Sequence, residues 1–143
     1  QGDEPFVDFN DINNVADLLK DRAVDMGTLY ADLKIEDVIN PNVVKIWTKK
    51  NGQVTDFSRN EEKTSDKKLT RSQHLGIYAY SVKFLKEFIN WKQTENEKME
   101  SLEQLRALEG GKNIYAKKSV AKIHLGIDTP EDLHLAHKLI END

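Results

Sequence analysis

The chain has 143 residues, 38% of them apolar and 32% charged, with a formal net charge of -4 and no cysteine. That is enough for one domain with a core, and the composition is not that of a disordered protein. The charge excludes a general basic field for nucleic acid, the lack of cysteine excludes disulfides and thiolate chemistry and fits a reducing, cytoplasmic compartment, and no apolar run approaches a membrane span. The first residues show neither an initiator Met nor a signal peptide and read like the middle of a domain, so the chain is expected to be a piece of a longer protein.

Gln1-Gly2-Asp3-Glu4-Pro5 reads as a strand exit, with Gly2 permitting an unusual backbone and Pro5 stopping further pairing. Asp8 or Asn10 can cap a helix running to about residue 20, whose stripe is Ile12, Val15, Ala16, Leu18 and Leu19. A β-rich segment follows over 24–31. After the break at Asn40-Pro41, residues 43–48 alternate as a strand and Asn51-Gly52 turns it back onto 54–58 as a hairpin. Residues 60–70 are charged and poor in aliphatics, and are expected to be a mobile loop. His74-Leu75-Gly76-Ile77-Tyr78-Ala79-Tyr80 predicts a strand buried on both faces.

Two helices should come next. One buries Val82, Phe84, Leu85, Phe88 and Ile89; the other, over about 97–109, buries Met99, Leu102, Leu105, Ala107 and Leu108 and stops at Gly110-Gly111. On the second, Glu100 shares a face with Glu103 and Gln104. Residues 114–120 and 123–127 predict short strands. The last helix, from Pro130 to about residue 140, starts with Thr129 as its cap, acids in its first turn and Leu133, Ala136, Leu139 and Ile140 as its stripe. The elements together predict a single α/β domain.

Asp128 sits between the strand at 123–127 and this helix, at the carboxyl end where open α/β sheets bind ligands. Asp3 lies at another strand exit. Two such carboxylates are hard oxygen donors of the kind that hold Mg²⁺ against substrate phosphates. From the residues alone, Asp128 either does this or assists the helix cap. His74 is either a ligand contact or a structural histidine, and Glu103 with Gln104 is either a grip for sugar hydroxyls or a solvated helix face. No phosphate-cradling glycine loop, His/Cys metal spacing or GxSxG elbow occurs.

Six segments in order narrow these alternatives: Gln1-Gly2-Asp3-Glu4-Pro5, Asn40-Pro41-Asn42-Val43-Val44-Lys45, Phe57-Ser58-Arg59, the run from His74 through Tyr80, Glu100-Ser101-Leu102-Glu103-Gln104-Leu105-Arg106, and Gly126-Ile127-Asp128-Thr129-Pro130-Glu131-Asp132. This set resembles the CMP-KDO synthetases (3-deoxy-manno-octulosonate cytidylyltransferases). The resemblance implies a nucleotide-sugar transferase-like three-layer α/β sandwich with a mixed sheet, incomplete at its N-terminus and dimerising through its C-terminal half. It implies an enzyme that couples CTP to the sugar acid KDO, giving CMP-KDO and pyrophosphate for lipopolysaccharide synthesis. Asp3 and Asp128 match the family's Mg²⁺ ligands and catalytic acids. His74, Tyr78, Glu103 and Gln104 match its sugar-acid pocket, with Gln1 at the edge. The segment that cradles CTP in the family precedes these motifs and is not in this chain, so the 143 residues alone are expected to be inactive. Ser81 stands where the family often has Arg. A cytidylyltransferase for another keto-sugar acid, or a non-catalytic dimerisation or binding module, are the alternatives.

Overall fold

The computed structural model describes residues 5–60, 66–127 and 129–141. Among them, five strands form one mixed sheet: β1 (Met26–Ala31), β2 (Lys45–Thr48), β3 (Val54–Ser58), β4 (Thr70–Tyr80) and β5 (Ile114–Lys118), in the order β3-β2-β4-β1-β5. β1 and β5 are parallel, and the other neighbours are antiparallel. Five α-helices accompany them: α1 (Phe9–Leu18), α2 (Val82–Phe88), α3 (Glu95–Glu100), α4 (Gln104–Glu109) and α5 (Pro130–Glu141).

Alternation along β1 builds two cores. Met26 and Tyr30 face a cluster with Ile46, Phe57, Ile114, Phe84 of α2 and Leu105 and Ala107 of α4, whereas Leu29 and Ala31 face Val15 of α1 and Leu75. Helices therefore cover both faces of the sheet, each burying one set of alternating side chains. Asp8 caps α1 by accepting from Asn10 N at 2.7 Å. α1 then lies so close to β1 that a Cβ on Gly27 would come 2.9 Å from the Val15 carbonyl oxygen.

The expected hairpin is present, with Gly52 at φ 84° in its turn. Its tip folds over to the far side of the sheet, where Ala116 N donates to Gly52 O at 2.9 Å and Gln53 bridges Tyr115. Thr129 caps α5, its hydroxyl accepting from Asp132 N at 3.2 Å while Thr129 N donates back to the Asp132 carboxylate at 2.9 Å. Ser81 caps α2 by accepting from Phe84 N at 3.1 Å, which explains a serine at that position.

Several expectations are corrected. The helix expected over 97–109 is two helices, because Ser101 adopts a left-handed conformation (φ 53°) that turns Leu102 into the core and leaves Met99 exposed. In α2 the buried line runs through Phe84 and Phe88; at about 100° per residue Val82 falls on the opposite side, and Val82, Leu85 and Ile89 are exposed. In α1 the buried positions are Asp11 and Val15, while Ile12 and Ala16 face outward. α5 buries Ala136 and leaves Leu133 and Ile140 largely exposed.

The strand expected over 123–127 is absent. β5 ends at Lys118, and the buried Asp11 carboxylate then captures Ser119 Oγ, Val120 N at 2.9 Å and Ala121 N at 3.3 Å, drawing the chain off the sheet. β4 starts at Thr70, earlier than expected. It is only half-buried beyond Gly76, because β2 accompanies it no further than the Val44 carbonyl, which accepts from His74 N at 2.8 Å. The expected strand exit at residues 1–4 and the centre of the charged loop, 61–65, lie outside the described residues.

Candidate active site

Where β2 stops short, the second half of β4 opens onto a cleft of about 430 Å³ lined by Val7, Ile12, Gly76, Ile77, Tyr78, Tyr80 and Glu103. That volume lies in the range of small-molecule sites, roughly 300–1,000 Å³. Three elements build it: the start of α1, the exposed edge of β4, and the turn before α4 that the break at Ser101 creates.

Polar groups converge on this region. Tyr78 and Glu103 line the cleft together. The ring of His74 lies 5.5 Å from that of Tyr78 and meets Phe57 edge-on at 4.9 Å. His74 is buried, and burial pushes its pKa down to about 3, so the imidazole is neutral at working pH. Tyr80 is pushed up to about 12, chiefly by burial and further by the nearby Glu103 carboxylate, and stays a phenol. Gln104 follows Glu103 at the start of α4. It is 2% exposed, and its Oε1 has no hydrogen-bond partner among the described residues. A buried acceptor without a donor costs about 1–3 kcal/mol, and such exceptions occur where a ligand completes the bonding.

Arg59 is held at a neighbouring corner. Its Nε donates to Glu100 O at 2.8 Å and its Nη1 to Pro41 O at 3.0 Å, so the guanidinium is fixed by carbonyls, with no carboxylate paired to it among the described residues. The Glu100 carboxylate is taken up by Ser58 Oγ at 2.9 Å, Arg59 N at 2.8 Å and Asn60 Nδ2 at 3.2 Å. On the other side the buried Lys45 ammonium donates to Arg59 O at 2.9 Å and Asn40 O at 2.6 Å.

The structure thus gathers four of the residues expected from the sequence, His74, Tyr78, Glu103 and Gln104, around one end of the molecule. It separates Glu100 from Glu103, which a continuous helix would have placed on one face, and gives Glu100 to Arg59 instead. Gln1, Asp3 and Asp128 lie outside the described residues. No group of three or more His, Cys, Asp or Glu side chains able to hold a metal occurs among the described residues. Arg59 went unremarked as a site residue although the Phe57-Ser58-Arg59 motif contains it; nothing local marks it, since Asp56, Glu61 and Glu62 stand beside it in sequence as ordinary partners for a surface cation.

A mixed sheet covered on both faces, with a cleft at the open edge of its long antiparallel strand, is the α/β architecture of nucleotide-sugar transferases. The chain belongs to the cytidylyltransferase family, whose model matches residues 1–123. It is 40% identical to 3-deoxy-manno-octulosonate cytidylyltransferase 2 of Actinobacillus pleuropneumoniae serotype 5b, covering 99% of this chain and 61% of that protein. It is 39% identical to the 3-deoxy-manno-octulosonate cytidylyltransferase of Thermodesulfovibrio yellowstonii, over 98% of this chain and 58% of that one. A solved structure of CMP:2-keto-3-deoxy-manno-octonic acid synthetase complexed with CTP matches with a TM-score of 0.86 and 28% identity, over 99% of this chain and 60% of the other. The chain therefore spans about 60% of the length of the relatives it matches.

Proposed function

We propose that this chain forms the sugar-acid side of a 3-deoxy-manno-octulosonate cytidylyltransferase, which makes CMP-KDO and pyrophosphate from CTP and KDO for lipopolysaccharide synthesis. The observation that carries this reading is the unpaired, buried Gln104 carbonyl beside a cleft that Glu103 and Tyr78 already line. A polyhydroxylated ligand supplies the donors that this acceptor lacks. The Glu103 carboxylate accepts from further hydroxyls, the Tyr78 ring packs on the sugar's apolar face, and Arg59, already aligned and without a counter-ion among the described residues, pairs with the ligand carboxylate. By the motif resemblance Gln1 would add a further polar group at the edge of that pocket.

In the reaction the anomeric hydroxyl of KDO attacks the α-phosphorus of CTP, its proton departs, and the bond to pyrophosphate breaks. The contribution of this chain is to fix the nucleophile, since positioning supplies much of the rate in such transfers. Asp3 and Asp128 are carboxylates, the hard donors that suit Mg²⁺, and would supply its protein ligands. When bound, the ion offsets charge on the triphosphate and lowers the pKa of the attacking hydroxyl. Exposed Val82, Leu85 and Ile89 on α2 favour a homodimer by offering an apolar stripe that water does not suit.

The test is turnover by the full-length protein with CTP, Mg²⁺ and a panel of keto-sugar acids, following pyrophosphate release and the nucleotide product. Selective formation of CMP-KDO is the expected result. Preference for another keto acid would transfer the site to that substrate, and no product with any acid would leave only a binding or dimerisation module.

A further inference from the structure

We propose that Thr28 is a positioning residue: its hydroxyl holds the His74 ring in the tautomer protonated at Nε2 and so leaves Nδ1 as a hydrogen-bond acceptor for a ligand hydroxyl. Thr28 Oγ1 lies 2.9 Å from His74 Nε2, 2.9 Å from the Ile77 carbonyl oxygen and 3.2 Å from the Leu75 carbonyl oxygen. A hydroxyl has one proton to give, and carbonyls only accept. Were that proton aimed at Nε2, both carbonyl oxygens would face hydroxyl lone pairs at a position that is 0% exposed. Donation to Ile77 O removes the closer of the two conflicts and leaves only the longer approach to Leu75 O. Nε2 must then carry the proton that bonds to Oγ1, because two lone pairs would otherwise meet at 2.9 Å.

The two carbonyls are present for a structural reason. Thr28 pairs with Tyr78 but Leu29 pairs with Leu75, so β4 carries two extra residues at this point and its ladder is interrupted. The threonine hydroxyl fills the irregularity, and the histidine is tied to it. Burial keeps the ring neutral, with its pKa pushed down to about 3. Nothing among the described residues bonds Nδ1, and the rings of Phe57 and Tyr78 hold the imidazole plane from two sides. A neutral acceptor suits a hydroxyl and not a carboxylate, which assigns the acid group of the substrate to another residue. This ligand assignment rests on the proposed function; the tautomer does not.

The experiment is a two-bond proton–nitrogen correlation spectrum of the histidine rings in the unliganded full-length protein, with His74→Gln to assign the signal. The expected pattern is Nε2 protonated and Nδ1 bare, kept in Thr28→Ser and lost to a tautomer mixture in Thr28→Val. With KDO as substrate, KM for KDO should rise about tenfold in Thr28→Val, equivalent to one lost hydrogen bond, while KM for CTP stays constant and Thr28→Ser behaves as wild type. A wild-type ring protonated at Nδ1, or a Thr28→Val ring with the wild-type pattern, overturns the proposal. If Thr28→Val does not fold, the wild-type and Thr28→Ser spectra decide. Failure to turn over KDO would overturn the substrate and leave the tautomer measurement standing.

Discussion

Replacing Glu100 by Ala removes the acceptor shared by Ser58 Oγ, Arg59 N and Asn60 Nδ2. The three do not weigh equally. Asn60 is exposed and regains water, so its loss is negligible. Ser58 is fully buried, and a buried hydroxyl without its acceptor costs about 1–3 kcal/mol. The half-buried Arg59 N–H loses a charged acceptor, about 1 kcal/mol more. The sum is about 2–4 kcal/mol, a large share of the ~5–15 kcal/mol by which domains are stable. For a chain of this size that corresponds to a fall in Tm on the order of 10 °C. Glu100→Gln keeps one acceptor oxygen and must turn its amide NH₂ toward the second donor, so it should lose about half as much. The assay is urea unfolding followed by tryptophan fluorescence, with KM for KDO measured in parallel on the full-length protein. KM should rise as Arg59 loses its backbone anchor, and KM for CTP should not. A loss below about 0.5 kcal/mol for Glu100→Ala would show that these bonds are replaced by water at no cost and would refute the reasoning.

Gln104→Leu removes a buried orphan oxygen at nearly constant volume, so the unliganded protein should be as stable or more stable by about 1 kcal/mol while KM for KDO rises; marked destabilisation in urea would mean that the amide is satisfied in the fold. His74 has its folded-state pKa pushed from 6.5 to about 3, so unfolding takes up a proton below about pH 6.5. Stability is complete above that value and falls as the pH drops toward 3, with a slope of at most about 1.4 kcal/mol per pH unit. His74→Gln should flatten the curve, and equal slopes in the two proteins would refute the assignment. Gly110→Ala would place a Cβ 2.2 Å from Trp91 Cζ3 and 2.6 Å from Cη2. Trp91 is backed by Phe84 and Phe88 and cannot retreat, so a cost of about 1–3 kcal/mol and a changed tryptophan emission are expected. In the full-length protein, Asp128→Asn should lower turnover on the order of a hundredfold, and near-normal turnover would remove the metal role.

The features legible in the sequence are those whose cause is local. Asn51-Gly52 makes the hairpin, Asp8 and Thr129 cap their helices, and alternation marks β2. What the sequence concealed was decided by distant partners. Asp11 counts as a solvent-facing charge until the segment 119–121, far along the chain, brings a hydroxyl and backbone N–H groups to it. The break at Ser101 has no glycine or proline to announce it; the burial of Leu102 and the reach of Glu100 to β3 enforce it. Thr28 reads as one more β-former in an apolar strand. Its task exists only because β4 is irregular opposite it. Within the site, the resemblance in the motifs supplied His74, Tyr78, Glu103 and Gln104, whereas Arg59 and its anchors emerged from geometry.

The tie between the hairpin tip and β5 has a consequence for the order in which the molecule assembles. β3 and β5 stand at opposite ends of the strand order, yet Gly52 and Gln53 bond Ala116 and Tyr115. That bond cannot close until β4 has paired with both β2 and β1, since only then are the two ends of the sheet brought round to each other. The hairpin itself is local and forms early; its docking is late, because loop-closure entropy must be met first by the central ladders. The same logic runs in reverse under native conditions. The latch opens without disturbing the β1–β4 pairing, so the amide of Ala116 exchanges its hydrogen through a local event while that of Leu29 waits for the whole sheet.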